Sequence, residues 1–105
     1  MSKFLIIQQR ADTNLPPETL RRLLPSQITY MRGLRQSGRV EMNYGFAALN
    51  GGVFVLDVAS HDELQQILYG QPLWSYLKTE TYPLNAIEAV EQSITDMLEK
   101  NAVPA

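Results

Sequence analysis

Residues 52–84, GVFVLDVASHDELQQILYGQPLWSYLKTETYPL, decide the fold. Val53-Phe54-Val55-Leu56-Asp57-Val58 is apolar on both parities, the pattern of a strand covered on two faces. Ser60-His61-Asp62-Glu63 then supplies an N-cap residue with a glutamate three positions on, the reciprocal arrangement that starts a helix. Leu64, Ile67 and Leu68 give that helix one apolar side, and Gly70 predicts a left-handed stop. Pro72-Leu73 opens a last strand in which Trp74, Tyr76, Lys78, Glu80 and Tyr82 share one face, opposite Ser75, Leu77, Thr79 and Thr81. Pro83 ends it.

Upstream, residues 3–9 read as a first strand, apolar on both parities as far as Ile7. Leu15-Pro16-Pro17 stops that strand and opens a helix, with Pro17 suited to the first helical position and Glu18 to the first turn. Leu20, Leu23, Leu24, Ile28, Met31 and Leu34 recur every three or four residues up to Gly38, and Pro25 predicts a kink among them. Arg39 to Ala48 alternates, with Val40, Met42, Tyr44 and Phe46 on one face of a second strand and Glu41, Asn43 and Gly45 on the other. Asn50-Gly51-Gly52 predicts the hairpin turn. Downstream, Asn85 with Glu88 predicts another capped helix whose apolar side is Ile87, Val90, Ile94, Met97 and Leu98; from Asn101 the chain is expected to fray.

The order β-α-β-β-α-β plus one helix is an α+β arrangement, the ferredoxin-like plait with an extra C-terminal helix. One domain covers residues 1–105, with the plait in 3–84 and the extra helix in 85–100. In this plait the first and third strands are central, and these are the two whose sequence is apolar on both faces. Two crossover helices cover one face of the sheet only. Burying each large aliphatic side chain on the other face is worth roughly 1.5–3 kcal/mol, so a cover is expected there. A second copy, sheet against sheet, provides it: the chain is expected to be a homodimer or a larger homo-oligomer, closing as a dimeric α+β barrel.

Composition narrows the function classes. Hydrophobic residues make up 45% and charged residues 19% of the 105, a globular composition. The absence of cysteine excludes disulfides and thiolate metal sites and fits a cytoplasmic protein. The apolar run Phe4-Leu5-Ile6-Ile7 is too short for a membrane span. Residues 1–50 carry seven Lys/Arg against three Asp/Glu, +4, and residues 51–105 carry two against eight, −6. Arg21, Arg22, Arg32 and Arg35 lie at helical spacing without an aromatic platform for bases, so they read as a solvated helix face and no nucleic-acid partner is expected. His61 is the one histidine; without partners it makes no metal site, and Asp57, Asp62 and Glu63 read as residues favouring a helix start.

Several of these residues resemble the C-terminal half of the muconolactone delta-isomerases. The shared features are Val55-Leu56-Asp57-Val58 at a strand end, Asp62-Glu63-Leu64 in the helix, Pro72-Leu73-Trp74-Ser75-Tyr76 at the turn, and Glu80 four residues beyond that tyrosine. Pro17 and Gly38 fall where that family opens and closes its first helix, so the resemblance covers roughly residues 4–84. It implies a dimeric α+β barrel, a proton shift in an unsaturated lactone with no cofactor and no metal, and assembly of dimers into a larger ring. Where the family's second strand is rich in Trp, His and Arg, this chain has Val40, Glu41, Met42, Tyr44 and Gly45, and Ile7 or Gln8 stands where its first strand carries Lys.

The expected site follows from the last strand. Glu80 as a general base and Tyr76 as its catalytic partner, with Tyr44, Trp74 and Lys78 contacting substrate, would face a chamber between two sheets. On a solvated strand Lys78 and Glu80 are instead a guard against edge-to-edge pairing. Three functions stay open: an isomerase acting on a small unsaturated lactone or acid, a binder of a small apolar or unsaturated acid ligand, and a protein-assembly module working through the terminal helix.

Overall fold

A computed structural model describes residues 2–11 and 15–100. Its elements are β1 (Ser2–Arg10), α1 (Pro17–Gln36), β2 (Val40–Gly45), β3 (Gly51–Val58), α2 (His61–Tyr69), a single 3₁₀ turn (Trp74–Tyr76), β4 (Leu77–Leu84) and α3 (Ile87–Glu99). The four strands form one sheet in the order β2-β3-β1-β4, every neighbouring pair antiparallel. β1 and β3 are therefore central, as their two-sided apolar sequence predicts. The sheet is open and does not close on itself. The expected fraying from Asn101 lies outside the described residues. Among the described residues no helix is long and apolar enough to cross a membrane.

One parity of the central strands makes the core. Phe4 and Ile6 of β1 and Phe54, Leu56 and Val58 of β3 are buried against Leu34 of α1 and Leu64 and Leu68 of α2. Ile6, Leu56 and Val58 have no exposed surface at all. The opposite parity, Leu5, Ile7, Val53 and Val55, is only half-buried, because no helix of the chain covers that face.

Local chemistry explains the element ends, and corrects several expectations. Pro17 begins α1, where a missing N–H costs no hydrogen bond, and Gly38 follows the helix with φ 82°, a conformation in which a Cβ would be strained. Pro25 lies within α1, which continues through it. Thr29 donates its hydroxyl to the Pro25 carbonyl at 3.1 Å. α2 starts at Ser60, whose hydroxyl accepts from the Glu63 N–H at 3.1 Å. The reciprocal half of that cap is replaced: the Glu63 carboxylate takes a 2.8 Å hydrogen bond from Arg39 Nε, tying α2 to the start of β2. Ser60→Ala should therefore cost about 1 kcal/mol, read as a lower urea midpoint at unchanged slope; an unaltered midpoint would show that the cap is idle. Gly70 ends α2 in a right-handed conformation (φ −74°, ψ −10°), not the left-handed one expected. α3 begins after Ala86 and not after Asn85, with no side-chain cap.

Two further differences come from pairing. A bulge between Val40 and Met42 breaks the alternation of β2: Val40 pairs with Leu56 on the core face, while Met42 and Tyr44 pair with Val55 and Val53 on the open face. The β2–β3 turn falls on Phe46–Leu49, closed by Leu49 N–H to Phe46 O (2.9 Å), with Leu49 at φ 63°. Gly51 and Gly52 already belong to β3, and Asn50 accepts from Arg10 N–H of β1 at 2.7 Å.

Candidate functional site

The concave feature of the molecule lies on the helix side of the sheet, between α1 and the β2–β3 hairpin. Leu24, Gln27, Ile28, Met31 and Arg35 recur along one side of α1 and form its upper wall. Gln8 and Arg10 of β1 share the parity of Ile6 and form the floor with Phe54. Asn43 of β2, the hairpin residues Phe46 and Leu49 to Gly52, and Leu73 and Leu77 complete a cavity of about 500 Å³. That volume suits a small organic molecule. Its mouth is apolar and wet: Leu24, Ile28 and Leu49 are all exposed.

The polar groups of this cleft are few and held in place. Gln8 is 4% exposed, and its amide donates to Gln71 Oε1 (2.7 Å) and Thr79 Oγ1 (3.0 Å). Gln71, as deeply buried, returns a 2.9 Å bond to Gln8 Oε1. Gln27 accepts from Leu73 N–H at 3.1 Å, which fixes the loop after α2 against α1. Asn50 Oδ1 is buried without a hydrogen-bond partner. Among the described lining residues Arg10 and Arg35 are the only charged side chains, both exposed, one on each wall. An apolar trough flanked by two guanidinium groups, with an unsatisfied acceptor inside, is matched to a small flat molecule carrying a carboxylate.

The residues singled out by sequence fall in three places. Tyr44, Val53, Ile7 and Glu80 form one row across the open face of the sheet, from β2 to β4, and Lys78 stands in the next row beside Gln9. Tyr44 and Glu80 are thus about 14 Å apart, three strand spacings. Tyr44 borders the cleft, but its register turns its side chain to the open face, where it is exposed. Glu80 accepts the Tyr82 hydroxyl at 2.6 Å, and that bond holds the Tyr82 phenol above its ordinary pKa. Trp74 and Tyr76 leave this group: they belong to the 3₁₀ turn before β4. Trp74 packs against the core, with Tyr69 at a ring separation of 4.9 Å, and the Tyr76 carbonyl accepts from Ala11 N–H. The strand begins only at Leu77 because the Pro72-Leu73 segment turns back under α2 first.

Sequence reasoning did not single out Gln8, Arg10, Arg35 or Asn50. A signal for two of them was present: Gln8 and Arg10 continue the parity of Phe4 and Ile6, the inward face of β1. Arg35 follows Leu24, Ile28 and Met31 on one side of α1. Among the described residues no group of three or more His, Asp or Glu side chains gathers as metal ligands would.

A profile of the muconolactone delta-isomerase family matches residues 3–89. The muconolactone delta-isomerase of Cupriavidus pinatubonensis is 30% identical over 79 residues, 71% of this chain and 86% of that one. The Acinetobacter baylyi enzyme is 27% identical over 85 residues, 77% and 88% of the two chains. Among solved structures, a muconolactone isomerase superposes with TM-score 0.70 over 80% of this chain and 88% of its own at 20% identity. The 5-chloro-2-hydroxyhydroquinone dehydrochlorinase of Burkholderia phenoliruptrix, solved with 2,5-dihydroxybenzoquinone, gives 0.61 over 79% and 93% at 14% identity. The structural likenesses speak for the fold, and the α+β plait is common to all three. With 87 of its 105 residues under the family profile, this chain belongs to the muconolactone delta-isomerase family.

Proposed function

We propose that the cleft under α1 binds a small unsaturated carboxylic acid or lactone of the kind the relatives' name describes. The observation that carries this reading is the pairing of an apolar trough with Arg10 and Arg35 across its mouth. A guanidinium offers a carboxylate two parallel hydrogen bonds, and Leu24, Ile28, Met31 and Phe54 offer a ring its contact surface. A hydroxyl or ring substituent that donates to Asn50 Oδ1 satisfies the buried acceptor. Calorimetric titration with muconolactone tests this. Arg10→Gln and Arg35→Gln should each weaken binding about ten-fold while leaving the unliganded melting temperature in place. Equal affinity in wild type and both variants would refute the assignment.

Membership of an isomerase family supports a second reading, turnover of that ligand by a proton shift. The described lining of the cleft holds no carboxylate, imidazole or amine. Glu80 is then the base to test, on the open face with Lys78 and Tyr44, in a chamber that exists once a second copy closes over Leu5, Ile7, Val53 and Val55. Proton NMR of muconolactone in deuterated buffer reads the exchange directly. Undiminished exchange in Glu80→Gln would rule out this residue.

A further inference from the structure

We propose that α3 of a second copy lies along the outer edge of α1 and roofs the cleft, so that the ligand site is completed by a partner chain. Every residue of α3 except Met97 is exposed, and Ile87, Val90, Ile94 and Leu98 form an unbroken apolar stripe at spacings of three and four. A lone helix of 13 residues is marginal in water, so α3 needs a surface.

Charge selects which surface. Glu88, Glu91 and Glu99 follow one another along one edge of the α3 stripe. On α1, Leu24 and Ile28 are 41% and 48% exposed at the mouth of the cleft, and Arg21, Arg32 and Arg35 lie three, four or seven positions from them on the same side. Both edges run about 20 Å. The ion pairs among the described residues are Lys3–Glu41 and Arg39–Glu63, so neither set is neutralised within one chain. The open sheet face offers no such match, since Lys3, Asp57, Lys78 and Glu80 there alternate in sign. The chain's own α3 leaves from the wrong end: Leu84 pairs with Lys3, about 20 Å along β1 from Gln9, where the cleft opens. A basic first half and an acidic second half thus find each other between molecules. The docking stands without the ligand reading; the roofing of the site rests on it.

Two charge-reversed variants test this, neither touching the lining of the cleft: Arg21→Glu with Arg32→Glu, and Glu88→Arg with Glu91→Arg. Circular dichroism checks that each is folded, and native mass spectrometry at micromolar concentration reads assembly. The wild type should assemble. Each variant alone should fall to a smaller species, its association weakened at least about ten-fold, and an equimolar mixture should recover the wild-type size with both kinds of subunit in it. Muconolactone affinity should fall and recover with the assembly. A monomeric wild type, or variants that keep the wild-type size, overturns the docking. Assembly that responds while muconolactone affinity stays fixed overturns the roofing.

Discussion

Replacing Gly51 by alanine should destabilise the protein by about 4 kcal/mol, a fall of about 20 °C in melting temperature for a domain of this size. The reason is backbone against backbone. A Cβ at position 51 would stand 2.0 Å from the Gln8 carbonyl oxygen, 2.8 Å from Gln9 Cα and 2.9 Å from the Gln8 carbonyl carbon. None of these atoms belongs to a flexible side chain, so relief requires the two central strands to part where Gly51 faces Gln9. That parting pulls on the Arg10 N–H to Asn50 O bond and on the Phe46 N–H to Gly51 O bond, which hold the hairpin over the cleft. Gly33 makes the control. It sits inside α1 with open space around its Cα, so Gly33→Ala should raise stability by up to about 1 kcal/mol through helix propensity and a less flexible unfolded chain. Opposite signs from one chemical change isolate the close strand approach as the cause. A melting temperature for Gly51→Ala close to that of the wild type would remove it.

The outcome at Gly51 also marks what a sequence carries and what it leaves to the fold. Asn50-Gly51-Gly52 reads as a turn because those residue types favour one, yet the glycines are there for β1, which approaches too closely for a side chain. That requirement is a long-range distance and has no local signature. The same division runs through the rest of the chain. β1 and β3 are legible as central strands because both parities of their sequence are apolar, and Ser60 is legible as a cap because its partner is three residues away. The bulge in β2 is set by its pairing with β3, so alternation in the sequence assigns Val40 to the face of Met42 when the fold separates them.

The site was harder to read for the same reason. Alternation from Trp74 to Tyr82 looks like one strand face, but the first three residues are wound into a 3₁₀ turn before the strand begins. Tyr44, Lys78 and Glu80 do share a face; Trp74 and Tyr76 do not join them. The cleft itself is assembled from α1, β1 and a hairpin that are far apart in the chain. Its walls are leucine, isoleucine and methionine residues indistinguishable by type from core positions, and Leu24 and Ile28 read as core until the helix is placed. Family resemblance carried the architecture across residues 3–89, whereas α3 lies almost wholly beyond the match.

Gln8→Leu and Gln71→Leu should each cost about 2 kcal/mol, and the double variant should cost much less than their sum. Each amide donates to the other's oxygen, at 2.7 and 2.9 Å, and both side chains are 4% exposed. Removing one leaves the other dry and short of partners: Gln71 would keep only the 3.4 Å contact of its amide to Met31 Sδ, and Gln8 only Thr79. Removing both takes away the stranded groups along with the bonds, and two leucines fill nearly the same volume. Urea unfolding of the four proteins at constant slope reads the coupling; strictly additive costs would show that the pair is not a unit. The same cycle reaches the ligand site. Gln8 lines the cleft and Gln71 does not, so Gln71→Leu can alter muconolactone binding only by releasing the Gln8 amide or the loop that Gln27 holds at Leu73. A loss of affinity in Gln71→Leu that vanishes in a Gln8→Leu background would identify the first route, and with it the function of two glutamines buried where the core would otherwise be aliphatic.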